Sequence, residues 1–325
     1  MHILTPWAGS SPVQIIRNRK NGWPQERVVA DFENAVIRAG VAPVGTEKPS
    51  WLLDSSGRLL SRSGVLRPLG PATGIRLVGL MGRAESQLVP HGLRSTLCLY
   101  IWDCWPDTDG RWASFFGRWK PLFVFFTSSE AQRHWAPRLP NALTSWAPEA
   151  IEPRRYPPGP DLCDRGTTVL ELGRRHDAFH RSASEYLAKQ GADHLYSTPS
   201  QPFLFPDHCQ LIAGLHNTVA MACFPGSMTH PAGRTGTWES MTHRYLEAIS
   251  TRTLIIGRVP QEMIELFGFK PGIDVRDHEP SEVLAELRSN PGQFQDLVDR
   301  ARARLLEVAT WDVRVKQILG QLPIS

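Results

Sequence analysis

Apolar residues fall along this chain in two rhythms, short unbroken runs and longer stripes at helical spacing, and their alternation predicts a β/α succession. Val13-Gln14-Ile15-Ile16 opens it as a strand, and a basic polar turn follows at 17–22. Gln25 to Ala39 places Val28, Val29, Phe32, Val36 and Ile37 on one side of a helix, with Gly40 where a C-cap belongs and Val41 to Val44 extended again. Residues 51–67 predict a hairpin that turns at Asp54-Ser55-Ser56-Gly57. Three stronger runs come next, Ile75 to Met81, Thr96 to Ile101 and Leu122 to Phe126. Each is apolar on nearly every residue, the mark of parallel strands covered by helices on both faces.

The alternation then stops at a stretch holding Pro148, Pro153, Pro157, Pro158 and Pro160. Proline fixes φ and removes donors, so this stretch is neither helix nor central strand and marks a domain boundary. Beyond it the pattern restarts. Thr167 to Leu172 reads as a strand, Ala178 to Lys189 as a helix, His194 to Tyr196 as a strand and Asp207 to Leu215 as a helix. Val219 to Phe224 and Thr253 to Ile256 are two further strands, and Phe294, Leu297, Val298, Ala301, Leu305 and Val308 form a helical stripe near the end. The expectation is an α/β protein of two Rossmann-like, doubly wound domains, 1–150 and 151–325, with ligand held at the carboxyl ends of the strands.

A length of 325 residues is enough for two such domains, and a hydrophobic content of 41% with 21% charged residues is ordinary for a globular protein. The net charge of +4, from 36 basic and 32 acidic residues, permits contact with phosphates or an anionic membrane surface and requires neither. No run reaches the roughly 18 apolar residues of a membrane span, and the start has no signal-peptide layout. The five cysteines are odd in number and lack metal-site spacing, which fits reduced thiols in a cytoplasmic protein. No nucleic-acid partner is expected.

The densest candidate chemistry lies in 233–248, where a turn rich in glycine and threonine runs into a predicted helix carrying Glu239 and Glu247. If that helix begins near Glu239, eight steps put the two acids about 12 Å apart along the axis and within about 80° around it. One face would then offer two carboxylates to an extended ligand, while free amides at the helix start attract an anion. The plain alternative is an amphipathic surface helix with two solvated glutamates.

Glu239-x7-Glu247, in a second β/α domain and followed at once by Leu254-Ile255-Ile256-Gly257, resembles the two-glutamate signature of the group 1, retaining glycosyltransferases of the GT-B fold. Ala248 to Gly257 is similar to that family's helix-to-strand passage, and Thr310-Trp311-Asp312 to its carboxy-terminal helix segment. The likeness spans about Thr167 to Leu319. It implies a donor-binding second domain and an acceptor-binding first domain facing a central cleft, with sugar moved from a nucleotide-sugar to a glycan, lipid-linked glycan or other acceptor, as in polysaccharide biosynthesis. Retention, no metal and no cofactor are further implications. Glu239 would contact the transferred sugar and Glu247 the ribose hydroxyls, and the backbone of Ser240, Met241, Thr242 and His243 would approach the diphosphate, with Arg244 beside it. Thr242 stands where the family often has glycine.

Gly173-Arg174-Arg175-His176-Asp177-Ala178-Phe179-His180-Arg181 follows the second domain's first strand. The resemblance implies that Arg174 neutralises the leaving diphosphate, with Arg175 nearby and His180 or Arg181 as a second basic group. A solvated basic loop is the alternative. His176 and His180 also sit at the spacing of a zinc-binding helix, without the glutamate of the hydrolytic motif. In the first domain Asp103 leaves a buried strand at its carboxyl end, either to face the acceptor or to cap a turn. Asp107-Thr108-Asp109 matches the Asp-x-Asp metal motif of the other large glycosyltransferase fold, so a metal-dependent transferase is one rival reading. A non-catalytic nucleotide-sugar-binding protein is the other. His91 and Thr127-Ser128-Ser129 lie at further loop positions near strand ends, and no Walker loop, nucleophile elbow or dinucleotide fingerprint is present.

Overall fold

The computed structural model describes residues 13–18, 26–45, 74–82, 85–173, 175–200, 203–230, 232–276 and 280–323, together with Leu52, Ser55 and Leu59. Those three single positions are helical, where the sequence pattern predicted a hairpin, and the rest of 51–67 lies outside the described residues. The chain divides into two compact units, Met1–Pro148 with Trp311–Ser325, and Glu149–Thr310.

In the first unit β1 (Val13–Ile16), β2 (Ala42–Val44), β3 (Ile75–Met81), β4 (Thr96–Trp102), β5 (Phe123–Phe126) and β6 (Leu143–Trp146) form one sheet in the order β2-β1-β3-β4-β5-β6. Every pairing is parallel, with Leu77 opposite Cys98 and Tyr100 opposite Phe125. All residues of β4 are buried, as a central strand with helices on both faces must be. Among the described residues the helices that pack on it include α1 (Glu26–Arg38), α2 (Asp109–Trp119) and α3 (Ser129–Trp135). Phe32 of α1 stacks on Tyr100 at 4.7 Å between ring centroids, and Tyr100 meets Trp102 edge-on at 4.5 Å. Trp311 completes this cluster, 5.7 Å from Phe32 and only 1% exposed. That buried indole explains why 311–325 groups with the first unit, although the sequence pattern placed it in 151–325.

The second unit repeats the architecture. β7 (Thr167–Glu171), β8 (His194–Tyr196), β9 (Thr218–Cys223), β10 (Leu254–Gly257) and β11 (Ile273–Asp274) pair in parallel in the order β11-β10-β9-β7-β8. Its helices are α4 (Asp177–Lys189), α5 (His208–His216), α6 (Gly226–Thr229), α7 (His243–Ser250), α8 (Gln261–Phe267), α9 (Pro280–Ser289) and α10 (Gln295–Val308). Side chains alternate across a strand, so neighbouring residues serve opposite layers. Leu170, Met221 and Ile255 pack with Tyr245, Leu246, Ala301 and Leu305 on one side. Val169, Ala220 and Ile256 pack with Phe179, Leu187, Leu284 and Val298 on the other. The first, third and later strands of each unit run outward from a reversal, between β1 and β3 and between β7 and β9. Ligands gather at such reversals in open sheets.

The proline-rich segment is tied to the second unit. The Ile151 amide donates to Ala309 O at 2.9 Å and the Gly159 amide to Thr251 O at 3.1 Å. At its end the buried Arg165 donates to Pro160 O, Leu215 O, Thr218 O, Thr251 O and the Thr253 hydroxyl, at 2.8 to 3.2 Å. Leu215 lies in the last turn of α5 and Thr251 caps the end of α7, so two negative helix ends converge on one guanidinium.

Burial lifts the thiols of Cys98, Cys104 and Cys223 well above their ordinary range, whereas Cys163 and Cys209 are exposed. A thiol-specific reagent at mildly alkaline pH is therefore expected to label Cys163 and Cys209 in the folded protein and all five cysteines in denaturant. Fast native labelling of Cys223 would contradict the packing of β9.

Candidate active site

The chemistry-bearing side chains of the second unit collect at the carboxyl ends of its strands. Gly257, the last residue of β10, has φ of 141°, and a Cβ there would meet Cys223 O at 2.3 Å, so only glycine makes this exit. Arg258 follows directly. Its Nε and Nη2 donate to the two carboxylate oxygens of Glu239 at 2.9 and 2.5 Å, and its Nη1 donates to Asp274 Oδ2 at 2.7 Å. Asp274 is fully buried and also accepts from the Val259 and Arg276 amides. Burial alone would lower the Arg258 pKa, but its two carboxylate partners raise it. Glu239 thus sits in a bidentate pair with its side chain 29% exposed, oriented by the protein and still open to solvent.

The predicted helix start needs correction. Thr242 is the extended N-cap and α7 begins at His243, so Glu239 lies in the preceding loop and the predicted spacing along one helix does not apply. The cause is non-local: the buried Glu262 of α8 accepts the Met241 amide at 2.6 Å and holds the chain extended there. Ser240 and Met241 are buried, and Thr242 makes no side-chain capping bond. Behind them the Tyr245 hydroxyl donates to Arg258 O at 2.7 Å, which ties α7 to the end of β10, and burial pushes that phenol up.

Glu247 is buried on the second turn of α7. Tyr156 donates to its Oε1 at 2.9 Å and Arg244 pairs with its Oε2. His243 stands 3.9 Å from Glu247 Oε1 and 3.8 Å from Glu149 Oε2. Each carboxylate oxygen can accept a second donor, so Glu247 keeps capacity for a ligand hydroxyl.

At the end of β7 Glu171 is buried, and its Oε1 meets His180 Nδ1 at 3.0 Å and His194 Nε2 at 2.8 Å. Arg175 Nη1 lies 3.0 Å from His180 Nε2, and Ser184 Oγ lies 3.2 Å from His194 Nδ1. Glu171, His180 and His194 bring three possible metal donors within 4.8 Å of one another. A metal on His180 Nδ1 would put a proton on Nε2, facing an N–H of Arg175, so the arrangement fits hydrogen bonds better than an ion. His176 is used differently: its ring stacks on Phe224 at 4.6 Å and its Nδ1 accepts the Phe179 amide, so it caps α4 rather than pairing with His180. Burial lowers the His176 pKa. Arg174 lies outside the described residues, and Arg181 is exposed.

In the first unit Asp103 directly follows β4 with φ of 55°, a left-handed conformation that costs a non-glycine residue energy, and its Oδ1 accepts the Trp105 indole N–H at 3.0 Å. Asp107 lies in a short turn, while Asp109 opens α2 and meets His134 Nε2 at 2.5 Å. Thr127 donates to Ile101 O, and Ser128 caps α3.

No protein-family model and no curated protein sequence matches the chain. Solved structures do. A sucrose-phosphate synthase from Thermosynechococcus elongatus is similar at 13% identity and a TM-score of 0.58, over 96% of this chain and 98% of that one. An alpha-glucosyltransferase solved with UDP and a 13-mer DNA is similar at 11% identity and a TM-score of 0.55, over 96% of this chain and 99% of that one. Anabaena HepE, solved with UDP-glucose, is similar at 11% identity and a TM-score of 0.52, over 95% and 98%.

The chain has the GT-B fold.

Within this GT-B chain, Arg258, Asp274, Glu262, Tyr156, Glu171 and His194 were not picked out from the sequence. Arg258 alone left a readable signal, a basic residue directly after an apolar parallel strand. The others are acids, a tyrosine and a histidine whose partners lie far away in sequence. No helix among the described residues is long and apolar enough to cross a membrane.

Proposed function

We propose that the protein is a glycosyltransferase that moves a sugar from a nucleotide-sugar to an acceptor, with retention at the anomeric carbon and without a required metal. The observation that carries this reading is Glu239, aligned by both oxygens on Arg258 at the carboxyl end of β10. It gains support from the fold, which this chain shares over nearly its whole length with a protein solved with UDP-glucose. A nucleotide-sugar is then the donor. Glu239 accepts from hydroxyls of the transferred sugar, and Glu247 accepts from the ribose. The backbone of 240–243 and the basic groups of 174–175 meet the diphosphate. As the glycosidic bond breaks, charge grows on that diphosphate, and preoriented cations stabilise it more than they stabilise the intact donor. The departing phosphate oxygen takes the acceptor's proton, so the chain supplies position and field rather than a covalent nucleophile. The first unit binds the acceptor, with Asp103 as a polar contact, and the acceptor class is a glycan, a lipid-linked glycan or another hydroxyl compound. A cytoplasmic protein with peripheral contact to an anionic membrane surface fits the +4 charge.

Binding without turnover is a second reading, favoured by the hydrogen bond that ties His180 to Glu171 and so takes that imidazole away from a role as the second basic group. A panel of nucleotide-sugars, assayed for nucleoside diphosphate release with and without EDTA, separates the two. Release from at least one donor, unchanged by EDTA and with the product anomer retained by NMR, is expected. Binding without release would establish the second reading. Activity lost on chelation and restored by Mn²⁺ would move the chemistry to a metal.

A further inference from the structure

Eight tryptophans lie among the described residues, and five of them, Trp102, Trp112, Trp119, Trp135 and Trp311, are at most 3% exposed. The three that keep surface in solvent are Trp105, Trp146 and Trp238. All three stand near the carboxyl ends of parallel strands, the edge where open sheets hold ligands. Trp105 comes three residues after β4, Trp146 is the last residue of β6, and Trp238 precedes Glu239 in the second unit.

In the first unit both indoles are fixed through their polar end. Trp105 Nε1 donates to Asp103 Oδ1 at 3.0 Å, and Trp146 Nε1 donates to Thr127 O at 3.3 Å. Asp103 directly follows β4 and Thr127 directly follows β5, so both acceptors belong to the carboxyl edge. Trp105 is held by its backbone as well. Its carbonyl accepts the Thr108 amide at 3.0 Å and the Thr108 hydroxyl at 2.8 Å, and Pro106 restricts it from the other side. The left-handed backbone of Asp103 accompanies the return of its carboxylate to the indole two residues on. With its N–H engaged inside the protein, this tryptophan offers a ligand its ring, whose face is electron-rich and whose orientation is set before binding.

We infer that the β4–β6 edge of the first unit is a carbohydrate subsite, where a sugar ring stacks on Trp105 and donates hydroxyl protons to Asp103, and that the acceptor is a neutral glycan. The word acceptor rests on the transferase reading above, whereas the binding itself does not. A sugar ring pairs weakly positive C–H groups on its face with hydroxyls at its rim, which match an aromatic face beside a carboxylate. A carboxylate can accept more bonds than the one from Trp105. Residues 103–109 hold Asp103, Asp107 and Asp109 and no basic residue, so the phosphates of a nucleic acid or an anionic lipid meet like charge there. An alkyl chain would cover the Asp103 carboxylate without bonding it. Between β4 and β6 lies β5, so their ends are two strand spacings apart, about 10 Å. A chain of sugars can therefore reach both Trp105 and Trp146, and a monosaccharide meets one.

The test screens the full chain, with and without UDP, against neutral and anionic oligosaccharides, a DNA duplex and phosphatidylglycerol vesicles. Calorimetry then gives Kd for the best ligand in wild type, W105A, W105F, W146A and D103N, and thermal midpoints report whether each variant folds. A neutral oligosaccharide is expected to bind best, and W105A to weaken it about 10-fold, the scale of a lost aromatic contact. W105F keeps a smaller ring and should lose about 3-fold. W146A should weaken an oligosaccharide and leave a monosaccharide unchanged. Asparagine tolerates the left-handed backbone, so D103N should fold. It should bind neutral glycans less well and anionic ones better, a change of preference that a merely structural partner of Trp105 would not produce. If W105A does not fold, W105F and D103N decide. Equal binding by wild type and the folded Trp105 and Asp103 variants would overturn the inference, as would tightest binding of an anionic oligosaccharide, DNA or vesicles. Wild-type protein that binds a nucleotide-sugar and no glycan would overturn it and leave the transferase reading standing. Glycan binding that depends on Trp105, in a protein that binds no nucleotide-sugar, would uphold the subsite and overturn the transferase reading.

Discussion

Glu239→Gln is expected to lower kcat/KM for sugar transfer by about 10²- to 10³-fold with the fold intact, the magnitude of losing one preorganised charge contact to a transition state. Arg258 holds both carboxylate oxygens, so on the proposed function a bound sugar would meet an acceptor that needs no reorientation. The amide keeps the shape, halves the pairing with Arg258 and removes the charge that supports an electron-deficient anomeric carbon. Arg258 keeps its Asp274 partner in this variant, so stability should change by no more than about 1 kcal/mol. The effect should fall mainly on kcat, since the interaction is strongest when the sugar is positively charged. A variant with wild-type kcat would show that Glu239 is only a structural partner of Arg258.

Arg165→Leu is expected to destabilise the second unit by about 3–5 kcal/mol, through buried acceptors left without donors. The guanidinium serves Pro160 O, Leu215 O, Thr218 O and Thr251 O with no carboxylate bonded to it. Burial first, and the neighbouring charge of Arg252 second, lower its pKa to about 10. It stays protonated at neutral pH because carbonyl dipoles and two helix ends surround it. Leucine fills some of the volume and satisfies none of these groups. Arg165→Lys should recover little, since an ammonium's three donors cannot span five acceptors in one plane. Urea unfolding would show the midpoint fall with little change in slope. A loss under about 1 kcal/mol would mean that water replaces the guanidinium.

Much of the frame was legible because parallel strands buried on both faces are apolar throughout. Ile75–Met81, Thr96–Trp102 and Phe123–Phe126 announce themselves this way, and so do Thr218–Cys223 and Leu254–Gly257. The proline run marked the passage between units because it can enter neither periodic structure. The candidate site was legible in residue names more than in geometry. Trp238, Met241, Tyr245 and Ile249 keep helical spacing on either side of Glu239, so a helix beginning near 239 fits the pattern. What delays the helix start to His243 is the Glu262 carboxylate, 21 positions beyond the Met241 amide it accepts, and no local pattern reports such a contact. Glu171 reads as a polar end of a strand, yet it is buried and organises two histidines and an arginine. The terminal helix α11 (Trp311–Leu319) shows an apolar stripe, but a stripe does not say which core it joins. Phe32, Tyr100 and Trp102 decide that by surrounding Trp311.

The central claim is that the second unit binds a nucleotide-sugar through a carboxyl edge that includes Glu239. Differential scanning of wild-type protein and Glu239→Gln with UDP-glucose, GDP-mannose and related donors tests it most directly, since a ligand that binds only the folded chain must stabilise it. At about 100 times Kd the gain is about 2.7 kcal/mol. At least one donor is predicted to raise the wild-type midpoint clearly, and to raise that of Glu239→Gln much less at equal concentration. A midpoint unmoved by every nucleotide-sugar, or moved equally in both proteins, would contradict the account.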